Sequence, residues 1–233
     1  MLRAMSGRPP LINPREVPVS GTDSHLPAAA SSWLAPEQLR LHFAQVPLAE
    51  PERPGDGARL AGRPLRPAAV LVPLVMRESG VTVLLTRRTD HLRDHAGQIS
   101  FPGGRVEEAD ADAWATTLRE AEEEIGLTSD WVEPIGQLPR YQTVTAYEVQ
   151  PCVALLRPGF SLRLDEGEVA EAFEVPLGFL MDPARHQRHR VRLPGLDREF
   201  LSMPWHHDGR EYFIWGATAA MLRNLYHQLH QGR

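Results

Sequence analysis

Two hydrophobic rhythms alternate along the chain. Short β-rich runs dominate from residue 67 onward, and a three-to-four-residue apolar spacing interrupts them. Residues 68–76 and 81–86 flank Arg77-Glu78-Ser79-Gly80, which predicts a hairpin. Residues 98–101 form a short run that ends at Pro102-Gly103-Gly104. Trp114, Leu118, Ala121 and Ile125 then recur at i, i+4, i+7 and i+11. That spacing predicts a helix over 111–125 with its apolar stripe against a core. Further β-rich runs follow at 131–138, 143–156, 169–175, 199–204 and 211–215, with Asp208-Gly209 as a two-residue turn between the last two. Residues 217–231 read as a closing amphipathic helix. Strands predominate with helices between them, so the expected class is α+β, a mixed sheet packed between helices.

Upstream the rhythm fades. Residues 1–30 are rich in Pro, Ser, Gly and Ala and read as disordered. Residues 33–46 suit one helix, with Pro36 in its first turn. Residues 47–67 return to Pro, Gly and Arg and read as a linker. The expected organisation is a disordered 1–30, a helical extension with its linker over 31–66, and a main domain over 67–233.

Composition narrows the function classes. The net charge of −5 gives no polyanion-binding surface, so nucleic acid is not an expected partner. The single cysteine, Cys152, cannot form an internal disulfide and fits a reducing compartment. No run approaches the roughly 20 apolar residues that span a bilayer, and the N-terminal residues lack the apolar stretch of a signal peptide. A cytoplasmic protein with no membrane partner is the expectation.

The helix over 111–125 carries the candidate chemistry. Glu120 and Glu124 lie roughly 40° apart around its axis, and Glu123 within roughly 100° of both. Like charges at i,i+4 repel. A hard divalent cation among them removes that repulsion and prefers carboxylate oxygen. Gly126 is placed to end the helix in the left-handed conformation. The acids therefore sit on a packed element, away from the apolar stripe. Upstream, Arg87, Arg88, His91, Arg93 and His95 crowd the segment before the glycine pair. Arginine forks suit phosphate oxygens, although Arg88 and the two histidines are equally read as solvated loop charges.

From Gly104 to Leu127 the chain resembles the Nudix box: a glycine, five residues, an acid, seven residues, then Arg-Glu-apolar-x-Glu-Glu-x-Gly-apolar. Arg119, Glu120, Ala121, Glu123, Glu124, Gly126 and Leu127 fill the second half. In the first half Asp110 falls in the acid slot, but eight residues then precede Arg119, one more than the pattern has. Asp110 or Asp112 could instead cap the helix. A second stretch, Leu84-Leu85-Thr86-Arg87-Arg88-Thr89, then Arg93, then Gly97-Gln98-Ile99-Ser100 and Phe101-Pro102-Gly103-Gly104, resembles the signature of coenzyme A diphosphatases, a Nudix branch. Thr89 stands where that signature usually has serine.

The resemblance implies a Nudix-type α/β/α sandwich with a mixed β-sheet. It implies hydrolysis of a nucleoside diphosphate derivative with Mg2+ or Mn2+, and coenzyme A or a derivative as the small-molecule substrate. Glu120 and Glu124 are the first-choice metal ligands, with the Gly104 carbonyl. Glu123 is a third ligand or the base, and Arg119 orients it. Arg93, Arg87, Arg88, Gly103 and Phe101 are expected on the substrate, although Phe101 suits core packing equally well. A later acid among Asp165, Glu166 and Glu168 would complete the site, Glu168 by preference. ADP-ribose or a dinucleotide is the alternative substrate, and a non-catalytic binding module the alternative class. A homodimer is compatible with the sequence.

Overall fold

The computed structural model describes residues 13–55, 64–90, 97–193 and 196–232. The first described elements are strand β1 (Val19–Thr22), a 3-10 turn at Ser31–Leu34 and helix α1 (Pro36–Gln45). The expected hairpin forms from β2 (Arg66–Arg77) and β3 (Gly80–Arg88). Next come β4 (Ile99–Ser100), β5 (Gly103–Arg105) and the acidic helix α2 (Ala113–Ile125). Strands β6 (Val132–Gln137), β7 (Tyr141–Gln142), β8 (Tyr147–Leu156) and β9 (Val169–Pro176) follow, then the single-turn α3 (Leu177–Leu180). Strands β10 (Gln187–Leu193), β11 (Leu196–His207) and β12 (Arg210–Trp215) lead into the closing helix α4 (Gly216–Leu229).

Two sheets result. The larger runs β4-β3-β2-β8-β6, with β5 paired to β2, β7 to β8 and β9 to β3. Only β2 and β8 run parallel; the other pairs are antiparallel. The smaller sheet runs β1-β10-β11-β12. Strands β2, β3 and β8 are apolar on both faces because both faces of the large sheet are covered. Leu71, Val75, Leu84, Ala154 and Leu156 pack under α2 with Ala121 and Ile125. Alternate residues, Val72, Leu74, Val83, Leu85, Val153 and Leu155, face the other way. Leu39 of α1, Leu177 and Leu180 of α3, Met203 and Ile214 of the small sheet, and Leu222, Leu225 and Leu229 of α4 meet them there. The α+β sandwich with a mixed sheet is therefore what the chain builds.

Four expectations need correction. Residues 13–30 are not disordered: β1 pairs with β10, and Asp23 is buried. Residues 1–12 and 56–63 lie outside the described residues. The run over 143–156 is broken, because Ala146 takes a left-handed backbone (φ 64) and separates β7 from β8. Strand β10 was not foreseen; it has a single β-branched residue, Val191, among charged ones. The stripe on α2 holds only in its second half. Ala121 and Ile125 are fully buried, Trp114 and Leu118 are half-buried, and Thr116 and Thr117 are buried beside them.

Asp23 explains why the N-terminal segment is ordered. Its carboxylate accepts from Arg188 Nε (2.6 Å) and Nη2 (3.0 Å), and Arg223 Nη1 of α4 lies 3.2 Å away. Arg223 also donates to Glu52 (2.7 Å) and to Nδ1 of His186 (3.1 Å). Burial opposes the charge on Asp23, but the Arg188 bonds and the Arg223 and Arg188 charges outweigh it and hold its pKa below the usual range. Burial pushes His186 down to about 4, so it stays neutral and accepts from Arg223. Removing one partner of a buried charge pair strands the others. Asp23→Ala is expected to lower stability by about 3 kcal/mol, read as a lower urea midpoint. Arg190→Ala, which removes the exposed pair with Asp197, should leave the midpoint unchanged. Equal midpoints for the two variants would contradict this account.

Candidate active site

Helix α2 starts where Asp112 accepts the Ala115 N–H (2.9 Å) and stops at Gly126, whose φ of 68° is left-handed. Between those caps its carboxylates meet the glycine loop. Gly103 has φ 150°, and a side chain there would strike the Ala69 carbonyl and the Val70 backbone. This glycine-only approach lets the Gly103 N–H donate to Glu124 Oε2 at 3.1 Å. A Cβ on Gly104 would fall on the Glu120 carboxylate. Glu120 and Glu124 therefore converge on consecutive glycines of β5. Glu123 stays outside the seam: its side chain is 62% exposed, and it meets Arg119 (3.2 Å), which also holds Glu120.

Glu124 was expected off the core, yet it is only 6% exposed. Burial is the main cause that lifts its pKa to about 7. The Gly103 N–H and the Arg88 charge pull it down, while Glu120 and Glu168 push it up. Burial also raises Glu120, against the pull of Arg119, with Glu123 and Glu168 adding to the rise. Glu168 thus acts on both acids, and the chain shows why. The Arg163 N–H donates to Ile125 O and the Asp165 N–H to Glu124 O, each at 2.9 Å. These bonds satisfy carbonyls that the helix end leaves open and dock the 163–168 loop against α2. Asp165 spends its side chain on the Gly167 N–H (2.9 Å). Of the three later acids, Glu168 is the one brought near the helix carboxylates.

Asp110 does not cap the helix; Asp112 does. Asp110 accepts from Arg119 Nε (3.1 Å) and Nη2 (2.9 Å), from Thr116 Oγ1 (2.9 Å) and from the Glu107 N–H (2.9 Å). The Arg119 bonds come first in holding its carboxyl far below the usual range. The same pairing raises Arg119. Arg119 also donates to Glu120 (2.9 Å), Glu123 (3.2 Å) and the Arg105 carbonyl (3.0 Å). The extra residue before Arg119 is absorbed in this turn, and Asp110 still reaches the guanidinium.

The upstream arginines divide. Adjacent residues of a strand point to opposite faces. Arg88 lies on the α2 face, 3.8 Å from Glu124 and 3.7 Å from Glu168. Arg87 lies on the other face, 3.4 Å from Glu171 and 3.4 Å from Asp90. Glu171 also accepts from Tyr212 (2.7 Å) and pairs with Arg210 (2.8 Å). Arg87 is therefore not gathered with the carboxylates, as the sequence had suggested. Phe101 is 2% exposed within the larger core, so it packs there and walls no pocket. Arg93, with His91 and His95, lies outside the described residues.

The donor set suits a hard cation: two carboxylates on one helix face, a third from the 163–168 loop, and a glycine backbone with no side chain in the way. Among the described residues, no three acidic, histidine or cysteine side chains are yet close enough to enclose an ion. Guanidinium groups supply the positive charge instead, Arg119 to Glu120 and Glu123, and Arg88 to Glu124 and Glu168. The half-buried Glu120 and the buried Glu124, which repel each other, are the observation that favours a divalent ion at this place. No helix among the described residues is long and apolar enough to cross a membrane.

Residues 65–194 match the NUDIX domain model. An uncharacterised Nudix hydrolase of Escherichia coli K12, NudL, is 42% identical over 160 residues, covering 69% of this chain and 81% of its own. Its counterpart in Shigella boydii serotype 18 matches to the same extent. Among solved structures, the Nudix hydrolase RenU of M. smegmatis aligns at 15% identity over 74% of this chain and 85% of its own, with a TM-score of 0.46. The matched stretch contains the glycine loop, the acidic helix and the sheet that joins them, and the chain belongs to the Nudix hydrolase family.

Proposed function

We propose that this protein is a divalent-metal-dependent diphosphatase that cuts coenzyme A or a derivative into 3′-phosphoadenosine 5′-phosphate and 4′-phosphopantetheine. Nudix hydrolases act on nucleoside diphosphate derivatives, and the coenzyme A specificity is the step taken here. One observation carries the catalytic part: Glu120 and Glu124 converge on Gly103-Gly104, with Arg88 beside them. The resemblance of residues 84–104 to the coenzyme A diphosphatase signature carries the substrate part.

In this reading Glu120, Glu124 and the Gly104 carbonyl would hold Mg2+ or Mn2+, with Glu168 from the facing loop. The ion, when bound, neutralises diphosphate oxygens and lowers the pKa of water. Arg88 supplies a fork for a phosphate oxygen at the same place. Glu123 is exposed and, among the described residues, held only by Arg119, so it is the carboxylate left to take the proton from water. Asp110 keeps the Arg119 guanidinium from swinging away from Glu120 and Glu123. Arg87 and Gly103 act on the frame of the site, Arg87 from the opposite face and Gly103 through its bond to Glu124.

Three outcomes test this. A panel of coenzyme A, 3′-dephospho-coenzyme A, ADP-ribose and a dinucleotide, with and without each metal, should give the fastest cleavage with coenzyme A. No preference for any coenzyme A species would remove the branch assignment while leaving a diphosphatase. Second, Glu124→Gln should abolish metal-dependent hydrolysis. Glu123→Gln should lower kcat by about 10²- to 10⁴-fold, as loss of a general base does, with Mn2+ affinity retained. Loss of Mn2+ binding by the Glu123 variant would make it a ligand instead.

The third outcome concerns pH. Glu124 has a raised pKa in the fold, so its contribution to stability is fully present below about pH 4.5 and lost as pH rises through about 7. Without divalent metal, Glu124→Gln should therefore become more stable than wild type as pH rises across that window. The gap above pH 7 should be on the order of 3 kcal/mol, and added Mg2+ should narrow it. A gap that does not depend on pH, measured by urea unfolding, would show that burial does not penalise this carboxylate.

A further inference from the structure

The same end of the large sheet carries a second group of cations on the face away from α2. Arg66 opens β2, Tyr147 opens β8, and Arg105 ends β5. Arg66 stands opposite Tyr147 in register, and Arg105 opposite Ala68, two residues along from Arg66. The Arg66 guanidinium lies over the Tyr147 ring, 4.3 Å from its centroid, and the Arg105 guanidinium lies 5.5 Å from the same centroid. Arg66 Nη2 also donates to the Thr145 carbonyl (3.2 Å). Both arginines are exposed and the ring is half-buried.

Unlike the arginines nearer the acidic helix, these two share one ring and have no acid beside them among the described residues. Arg77, Arg87, Arg88 and Arg119 each pair with a carboxylate. Neither Arg66 nor Arg105 has one among the described residues. Two like charges beside one ring repel each other, and the ring face offsets only part of that. An anion with several oxygens would satisfy both forks at once. Arg105 is also tied to the reaction centre by its backbone. It directly follows Gly104, where the Glu120 carboxylate sits, and its carbonyl accepts from Arg119.

We propose that Arg66 and Arg105, held on Tyr147, form a subsite for a phosphate monoester on the nucleoside half of the substrate, separate from the diphosphate at Glu120 and Glu124. This rests on the diphosphatase reading above. A nucleotide that carries a phosphate on its ribose would reach round the end of β5, with its diphosphate on one face and the monoester on the other. Such a subsite prefers substrates with that extra phosphate over those without it, which ADP-ribose and dinucleotides lack.

Calorimetry on the full chain without metal tests this apart from turnover. The probes are 3′-phosphoadenosine 5′-phosphate and adenosine 5′-phosphate. Wild type is expected to bind the first at least tenfold more tightly, the difference that one charge-assisted contact makes. Arg66→Ala/Arg105→Ala should reduce that ratio to near one, with an unchanged far-UV spectrum and melting temperature to show that the fold persists. Tyr147→Leu, which removes the platform but keeps both charges, should give an intermediate ratio. A preference that survives in the double variant overturns the subsite, as does its absence in wild type. Wild type that shows the preference but hydrolyses no diphosphate of the panel in metal would sink the diphosphatase reading and leave the subsite standing. Rapid coenzyme A hydrolysis, with the binding ratio unaffected by the double variant, would do the reverse.

Discussion

The structure of the site depends on one buried carboxylate. Glu124 has left water for the seam between α2 and β5, and among the described residues its hydrogen-bond donor is a single backbone N–H, from Gly103. One neutral donor does not balance a desolvated charge. Around it the sequence supplies further negative charge from Glu120 and Glu168, with Arg88 at a looser distance. The arrangement makes sense as one half of a charge pair, and it accounts for several features at once. It requires a left-handed glycine at 103, room at 104, and an acid-bearing loop held to the helix end.

The local pattern made much of this legible. The 68–86 hairpin, the acidic helix with its Gly126 stop, and the Asp208-Gly209 turn all follow from short-range chemistry, and all are present. The sequence could equally place Glu120 on one side of the helix. It could not show that Glu124 is buried, because that depends on how closely β5 approaches α2. Nor could it separate Arg87 from Arg88. Strand alternation puts them on opposite faces, but which face belongs to the acids is fixed only when α2 packs over Leu84. Phe101 illustrates the same limit, since a motif position says nothing about whether its ring packs inward.

The larger misreading concerned the N-terminal segment. A Pro-, Ser- and Gly-rich composition suggested a chain with too little to bury. What orders residues 13–30 is a strand edge offered by β10, a carboxylate shared by Arg188 and Arg223, and the packing of Leu26 and Ala29 on the larger core. Both partners lie far along the chain, so no window of local sequence contains the signal. Asp110 is the converse case. The spacing from it to Arg119 is one residue longer than the motif has, yet the turn before α2 still brings the two together. Spacing along a sequence tolerates a single insertion when the geometry that matters is one side chain's reach.

The Asp23 junction has a consequence for how the molecule is made. Strand β1 emerges early in synthesis, but its neighbour β10 follows only after most of the large sheet, and Arg223 later still. Contacts so distant in sequence are slow to close. The partners of β1 and Asp23 therefore do not yet exist when the hairpin, glycine loop and acidic helix have all been made from contiguous chain. The junction that fastens the small sheet and α4 to the earliest part of the polypeptide can close only once Arg223 has been made.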